Sequence, residues 1–113
     1  MTKSLTNINV LDFSHALSGP FCSMLLAELG AKIIKIEPPH GDHFRPANGG
    51  ATFAVVNRNK RSLCLDLKQP SASIIMERLI FKCDVILENF TPGTMKRLGY
   101  HYEALKKMKP DII

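Results

Sequence analysis

Two short apolar runs, INVLDF at residues 8–13 and AKIIKIE at residues 31–37, flank the segment SGPFCSMLLAELG, and no other feature restricts the fold so tightly. Each run is too short for a stable helix. Each is also nearly continuous in its apolar residues, the pattern of a strand buried on both faces. Between them Ser18 suits a helix N-cap, Pro20 the first helical turn and Gly30 the left-handed residue that stops a helix. Strand, helix and strand within about 30 residues form a βαβ unit, which implies parallel strands and a right-handed crossover. The helix is apolar almost all round, so it is predicted to be buried against the sheet and against something else as well.

Further along, Pro38 and Pro39 remove two backbone donors and end the second strand. Residues 40–59 read as irregular apart from the apolar ATFAVV; a loop of that length inside a compact domain is usually functional or mobile. Ser62–Leu67 alternates like a half-buried strand, with Leu63, Leu65 and Leu67 on one side. A helix over Ser71–Phe81 and a buried strand in DVILENF make a second βαβ unit. TPGTMKRLGY then gives a turn at Pro92-Gly93 and a short helix ending at Gly99, and Tyr102–Met108 forms a last helix before Pro110. The closing DII reads as the start of another strand. The expected fold is therefore α/β, with Rossmann-like βαβ units and a mainly parallel sheet, forming the N-terminal portion of something larger.

Composition narrows the function classes. The chain has 113 residues, 45% of them hydrophobic and 22% charged, which is ordinary for a single globular domain. A net charge of +5 favours an anionic partner: nucleic acid, an acidic membrane or a phosphorylated small molecule. Nucleic acid fits poorly, because there is no Trp and Tyr100 and Tyr102 do not interleave with the cations. No membrane span is expected: the longest stretch free of Asp, Glu, Lys and Arg, residues 13–27, contains His15 and Pro20 and is shorter than the roughly 20 apolar residues required. The pattern of a secretory signal is absent, and a cytoplasmic location is the expectation. Cys22, Cys64 and Cys83 are odd in number, lack Cys-x-x-Cys spacing and read as reduced core residues. His40, Asp42 and His43 could be drawn as metal ligands, but a polar loop explains them and no metal is expected.

In a parallel sheet, ligands bind beyond the carboxyl ends of the strands. Here those ends carry SHALSGP, residues 37–42, DLKQP and ENFTPGT. Ser18 and Gly19 would offer backbone N–H groups at a helix N-terminus, and Lys68 and Arg97 would add cations. NRNKR, residues 57–61, is either a solvated turn or an anion site, and the local sequence leaves both open.

The segments VLDFSHALSGPFCSMLLAELGAKIIKIEPPHGD, NRNKRSLCLDLKQP and DVILENFTPGTMKRLGY closely resemble the N-terminal part of class III CoA-transferases of the CaiB/BaiF type. That group includes formyl-CoA and carnitine CoA-transferases and the α-methylacyl-CoA racemases. The resemblance runs in order from Ile8 to Ile113. It implies a coenzyme A site, with coenzyme A as substrate, formed by Leu65, Asp66, Leu67 and Lys68, by Asn89, Phe90 and Thr91, and by Arg97; Leu17 and Ser18 would lie near the thiol end, and Lys60, Arg61 and Lys68 would neutralise or flank phosphates.

The resemblance further implies that the full-length protein moves CoA between carboxylic acids through an Asp nucleophile, or, in the racemase branch, exchanges a proton beside a thioester through an Asp and a His. Acyl-CoA and carboxylic acids would be its small-molecule partners, and an intertwined homodimer its assembly. Asp12, Asp42, Asp66, Asp84 and Asp111 do not match the family's nucleophile, so no catalytic residue is assigned within residues 1–113 and this stretch alone is expected to be inactive, or even a truncated remnant. Formyl-CoA transferases carry Gln-Ala where Leu17-Ser18 stands and Arg where Pro38 stands, which implies a different acyl specificity.

Overall fold

The structure is a computed structural model and describes residues 2–113. Strands β1 (Asn9–Asp12), β2 (Lys32–Glu37), β3 (Arg61–Cys64) and β4 (Val85–Leu87) form one all-parallel sheet in the order β3-β2-β1-β4. Helix α1 (Ser18–Glu28) connects β1 to β2, α2 (Ala51–Asn57) precedes β3, α3 (Ala72–Lys82) leads to β4, and α4 (Thr94–Leu98) and α5 (Tyr102–Met108) follow. The α/β class and the first βαβ unit match the sequence reading. The second unit differs, because the chain leaving β3 crosses the whole sheet and β4 pairs with β1 rather than with β3.

Each strand side has its own core. On one, Leu11, Phe13 and Ile36 meet Met76 and Ile80 of α3 and Leu105 of α5; on the other, Val10 and Ile33 pack on Ala27 of α1 and on Ala31. ATFAVV is helical rather than irregular. Gly50, at φ 89°, turns the chain into α2, and Val56 anchors the helix by burial. Leu17, not Ser18, occupies the N-cap of α1 and makes no side-chain cap bond, whereas Gly30, at φ 106°, ends that turn as read. At the far edge of β4, Ile113 donates to the Asp84 carbonyl and accepts from the Ile86 N–H, a single parallel-type pairing, while Ile112 still bonds back to Lys109 in a turn.

Helix α1 is not covered all round. Gly19, Pro20, Ser23, Met24 and Ala27 face the sheet, but Leu17, Phe21, Leu25 and Leu29, four residues apart, form a stripe about half exposed. Two of the three cysteines also depart from the expected core placement: Cys22 and Cys64 are exposed, and only Cys83 is buried, its thiol pushed up to about 11 by that burial. No helix among the described residues is long and apolar enough to cross a membrane.

Candidate coenzyme site at the switch point

The strand order reverses at β1, since the chain moves from β1 to β2 and β3 on one side and returns to β4 on the other. At such a point the loops diverge and leave a crevice beyond the carboxyl ends of the strands. A cleft of about 140 Å³ opens there. Phe13 and His15 reach it from β1, Glu37 and Pro38 from β2, Leu65–Lys68 from β3, and Phe90 and Leu98 from the segment after β4. Its wall is mostly apolar, with Lys68 exposed at the margin. That volume is below the several hundred Å³ of a pocket enclosing a whole cofactor, so it suits one segment of an extended ligand.

The residues singled out from the sequence divide into several groups. Leu65, Asp66, Leu67, Lys68 and Phe90 line the cleft together. Asp66 also has a local task, accepting the Lys68 N–H at 3.0 Å and so setting the turn after β3. Arg97 is exposed on α4, where its guanidinium donates to Thr94 Oγ1 at 2.8 Å, one residue before the cleft-lining Leu98. Thr91 Oγ1 lies 3.2 Å from the same Thr94 hydroxyl. Asn89 stands behind the cleft rather than in it: its side-chain carbonyl accepts from the His15 N–H at 2.9 Å and its amide donates to the His15 carbonyl at 2.8 Å. Leu17 and Ser18 are exposed at the start of α1 and do not line the cleft.

Lys60 and Arg61 lie apart from the cleft. The Lys60 ammonium is buried and spends its three donors inward, on Asp12 Oδ2 at 3.0 Å, the Pro20 carbonyl at 2.9 Å and Asn57 Oδ1 at 2.8 Å. Nothing is left to face a phosphate. Arg61 opens β3 opposite Ile34, at the amino end of the sheet, where it borders Lys32 and Lys82 rather than the cleft. Arg58 and Asn59 complete a clasp by donating to Glu28 Oε1 at 2.7 and 3.0 Å. The NRNKR run therefore joins α2 and β3 to α1.

Beneath the cleft lies a polar layer that local sequence does not reveal. Asp12 is fully buried and accepts from the Ser14 and Ser23 hydroxyls, from the Ser14 N–H at 2.9 Å and from Lys60. Lys35, equally buried on β2, donates to the Ser14 carbonyl at 2.6 Å and pairs with Asp42 Oδ2 at 2.9 Å. Glu37 accepts the Arg45 fork at 2.6 and 2.7 Å, the Ser62 hydroxyl at 2.7 Å and the Asp42 N–H at 2.9 Å. Arg45 also stacks 4.2 Å above the Phe53 ring of α2.

These partners govern the Glu37 charge. Burial alone would raise its carboxyl; the bonds from Arg45, Ser62 and Asp42 outweigh that and hold it down to about 2, against an ordinary 4.5. A depressed folded value means that its stabilising contribution is present above pH 4.5 and disappears as the pH falls toward 2. The contribution is on the order of 3 kcal/mol. Urea denaturation at successive pH values is expected to show that loss in this window, and Arg45→Ala should remove most of it; a pH-independent midpoint between 5 and 2.5 would contradict the assignment.

His15, Asp42 and His43 also converge, with one donor atom from each lying within 4.8 Å of the others. They make a poor metal site. One Asp42 oxygen holds the Lys35 ammonium and the other accepts the Phe44 N–H at 2.8 Å, so a cation would compete with a fixed positive charge. Burial would raise the Asp42 carboxyl, but the Phe44 and Lys35 bonds bring it below the usual range.

Fold and cleft define a parallel α/β unit with a crevice at its topological switch point. Within that class the chain belongs to CoA-transferase family III, which its sequence matches over residues 5–113. Formyl-CoA:oxalate CoA-transferases of Bradyrhizobium diazoefficiens and Rhodopseudomonas palustris are 43% and 42% identical to it, the alignments covering all of this chain and 28% of each relative. The chain thus spans under a third of the length of the curated relatives it matches. A crystal structure of the protein Rv3272 from Mycobacterium tuberculosis superposes with a TM-score of 0.94 at 39% identity, over 98% of this chain and 31% of that one. A CAIB/BAIF family protein from Brucella suis gives the same TM-score at 32% identity, over 100% of this chain and 32% of that one.

Proposed function

We propose that this chain is the N-terminal part of a coenzyme A-binding domain and that its cleft seats a segment of coenzyme A or an acyl-CoA. The observation that carries the reading is the convergence of Leu65–Lys68 with Phe90 at the switch point, the segments in which the sequence resembles class III CoA-transferases. Lys68 and Arg97 would meet phosphates as charge-assisted donors, Arg97 bidentately. Leu67, Phe13 and Phe90 would take the apolar contacts. In the full-length protein the activity would be transfer of CoA between carboxylic acids, completed by an Asp beyond residue 113. An intertwined homodimer would cover the exposed α1 stripe.

The names of the relatives favour formyl-CoA and oxalate as substrates. Leu17, Ser18 and Pro38, which depart from the pattern of that branch, favour another acyl group, with an α-methylacyl-CoA racemase as the second reading.

Calorimetric titration with coenzyme A tests the site. Lys68→Ala and Arg97→Ala are each expected to weaken binding roughly tenfold, the worth of one charge-assisted hydrogen bond. Arg61→Ala should leave it unchanged. A loss confined to Arg61→Ala, or preferential binding of single-stranded DNA, would overturn the placement.

A further inference from the structure

We propose that His15 is a hydrogen-bond acceptor for the thiol or amide end of the coenzyme, held in that role by Asp42. The proposal rests on the coenzyme A reading above.

Three features fix the residue. Asn89 bonds both the N–H and the carbonyl of His15, tying the end of β1 to the segment after β4. Ala16, the next residue, takes a left-handed φ of 62°, a conformation that costs a non-glycine residue energy and persists where its surroundings dictate it. The imidazole packs between His43 and Phe90, with ring centroids 5.5 and 5.2 Å away. A side chain positioned by a backbone clamp, a strained turn and two rings has little freedom to point elsewhere.

The orientation of the ring sets its chemistry. Nδ1 is shut off from solvent without a close hydrogen-bond partner and lies 3.8 Å from Asp42 Oδ2. Asp42 pairs with Lys35 through Oδ2 and accepts the Phe44 N–H through Oδ1. Burial, together with Lys35 and His43, lowers the His15 pKa, while Asp42 and Asp12 act against it, which favours the neutral ring. A neutral imidazole carries one proton, and the nearest acceptor for it is the Asp42 carboxylate on the Nδ1 side. The lone pair then belongs to Nε2, on a ring that lines the cleft. A neutral acceptor in a mostly apolar wall suits the pantetheine arm of the ligand, which carries the amide N–H and S–H donors.

The test titrates coenzyme A, and ADP as a ligand with adenine and phosphates but no pantetheine, into the unsubstituted chain, His15→Ala and His15→Gln. His15→Ala is expected to weaken coenzyme A roughly fivefold, the worth of one neutral hydrogen bond, and to leave ADP unchanged; His15→Gln, whose side-chain carbonyl also accepts, should recover most of the loss. Equal coenzyme A affinity in the unsubstituted chain and His15→Ala overturns the role of His15 alone. Absence of coenzyme A binding to the unsubstituted chain overturns the coenzyme reading and this proposal with it. Nitrogen-15 NMR of the histidine rings adds a readout that needs no ligand: an Nδ1–H tautomer is expected for His15, and an Nε2–H tautomer contradicts the proposal whatever the titrations give.

Discussion

Asp12→Ala is expected to cost about 3–5 kcal/mol, enough to unfold a domain of ordinary stability, because it strands the buried Lys60 ammonium and removes the shared acceptor of Ser14 and Ser23. Lys60→Met should be nearly as damaging, since it leaves the Asp12 carboxylate buried without its countercharge. The double variant Asp12→Ala/Lys60→Met removes both charges and should lose less than the sum of the two single changes. Urea denaturation followed by circular dichroism measures all three. Strict additivity would mean that the two charges do not act as a pair.

The second large effect is expected at Gly19, and here the cause is space rather than backbone angle. A Cβ on Gly19 would lie 2.3 Å from Ser14 Cβ, 2.7 Å from Ser14 Oγ and 3.1 Å from Asn89 Cγ. The first turn of α1 can approach β1 so closely only without a side chain there. Gly19→Ala must push Ser14 away from Asp12 and disturb the Asn89 clamp, a change expected to cost about 3 kcal/mol as local overpacking and to weaken coenzyme A binding as well. Gly99→Ala is the matched control: its φ is 84°, but nothing lies within 4 Å of the added carbon, so the cost should be only about 1 kcal/mol of backbone strain. Equal losses at the two positions would contradict the packing argument.

The parts of the fold that are local in sequence were legible. Continuous apolar runs identified β1 and β2, and Gly30 marked the end of α1 because a left-handed residue is needed there. What requires partners distant in sequence was not. Lys60 reads as a surface cation among other cations, and only the fold brings it to Asp12, 48 residues away. The alternation after Arg61 identifies a strand, yet the position of β4 beside β1 depends on how α3 crosses the sheet. For the candidate site, Leu65–Lys68 and Phe90, named through resemblance, converge on one cleft, whereas Asn89 holds His15 from behind it. The Lys35–Asp42–His15 layer was not legible as a unit: His15 and Asp42 fall in segments read at the strand ends, but its members come from β2, a loop and the end of β1 with no shared spacing.

The central claim is that the cleft at the switch point, and not the basic amino end of the sheet, receives coenzyme A. Amide chemical-shift mapping of the chain during a coenzyme A titration addresses it most directly. The account predicts saturable shifts at Leu65–Lys68, Phe90 and Arg97, with Lys32, Arg61 and Lys82 unmoved. Shifts confined to Lys32, Arg61 and Lys82, or no saturable shifts from a folded chain, would contradict it.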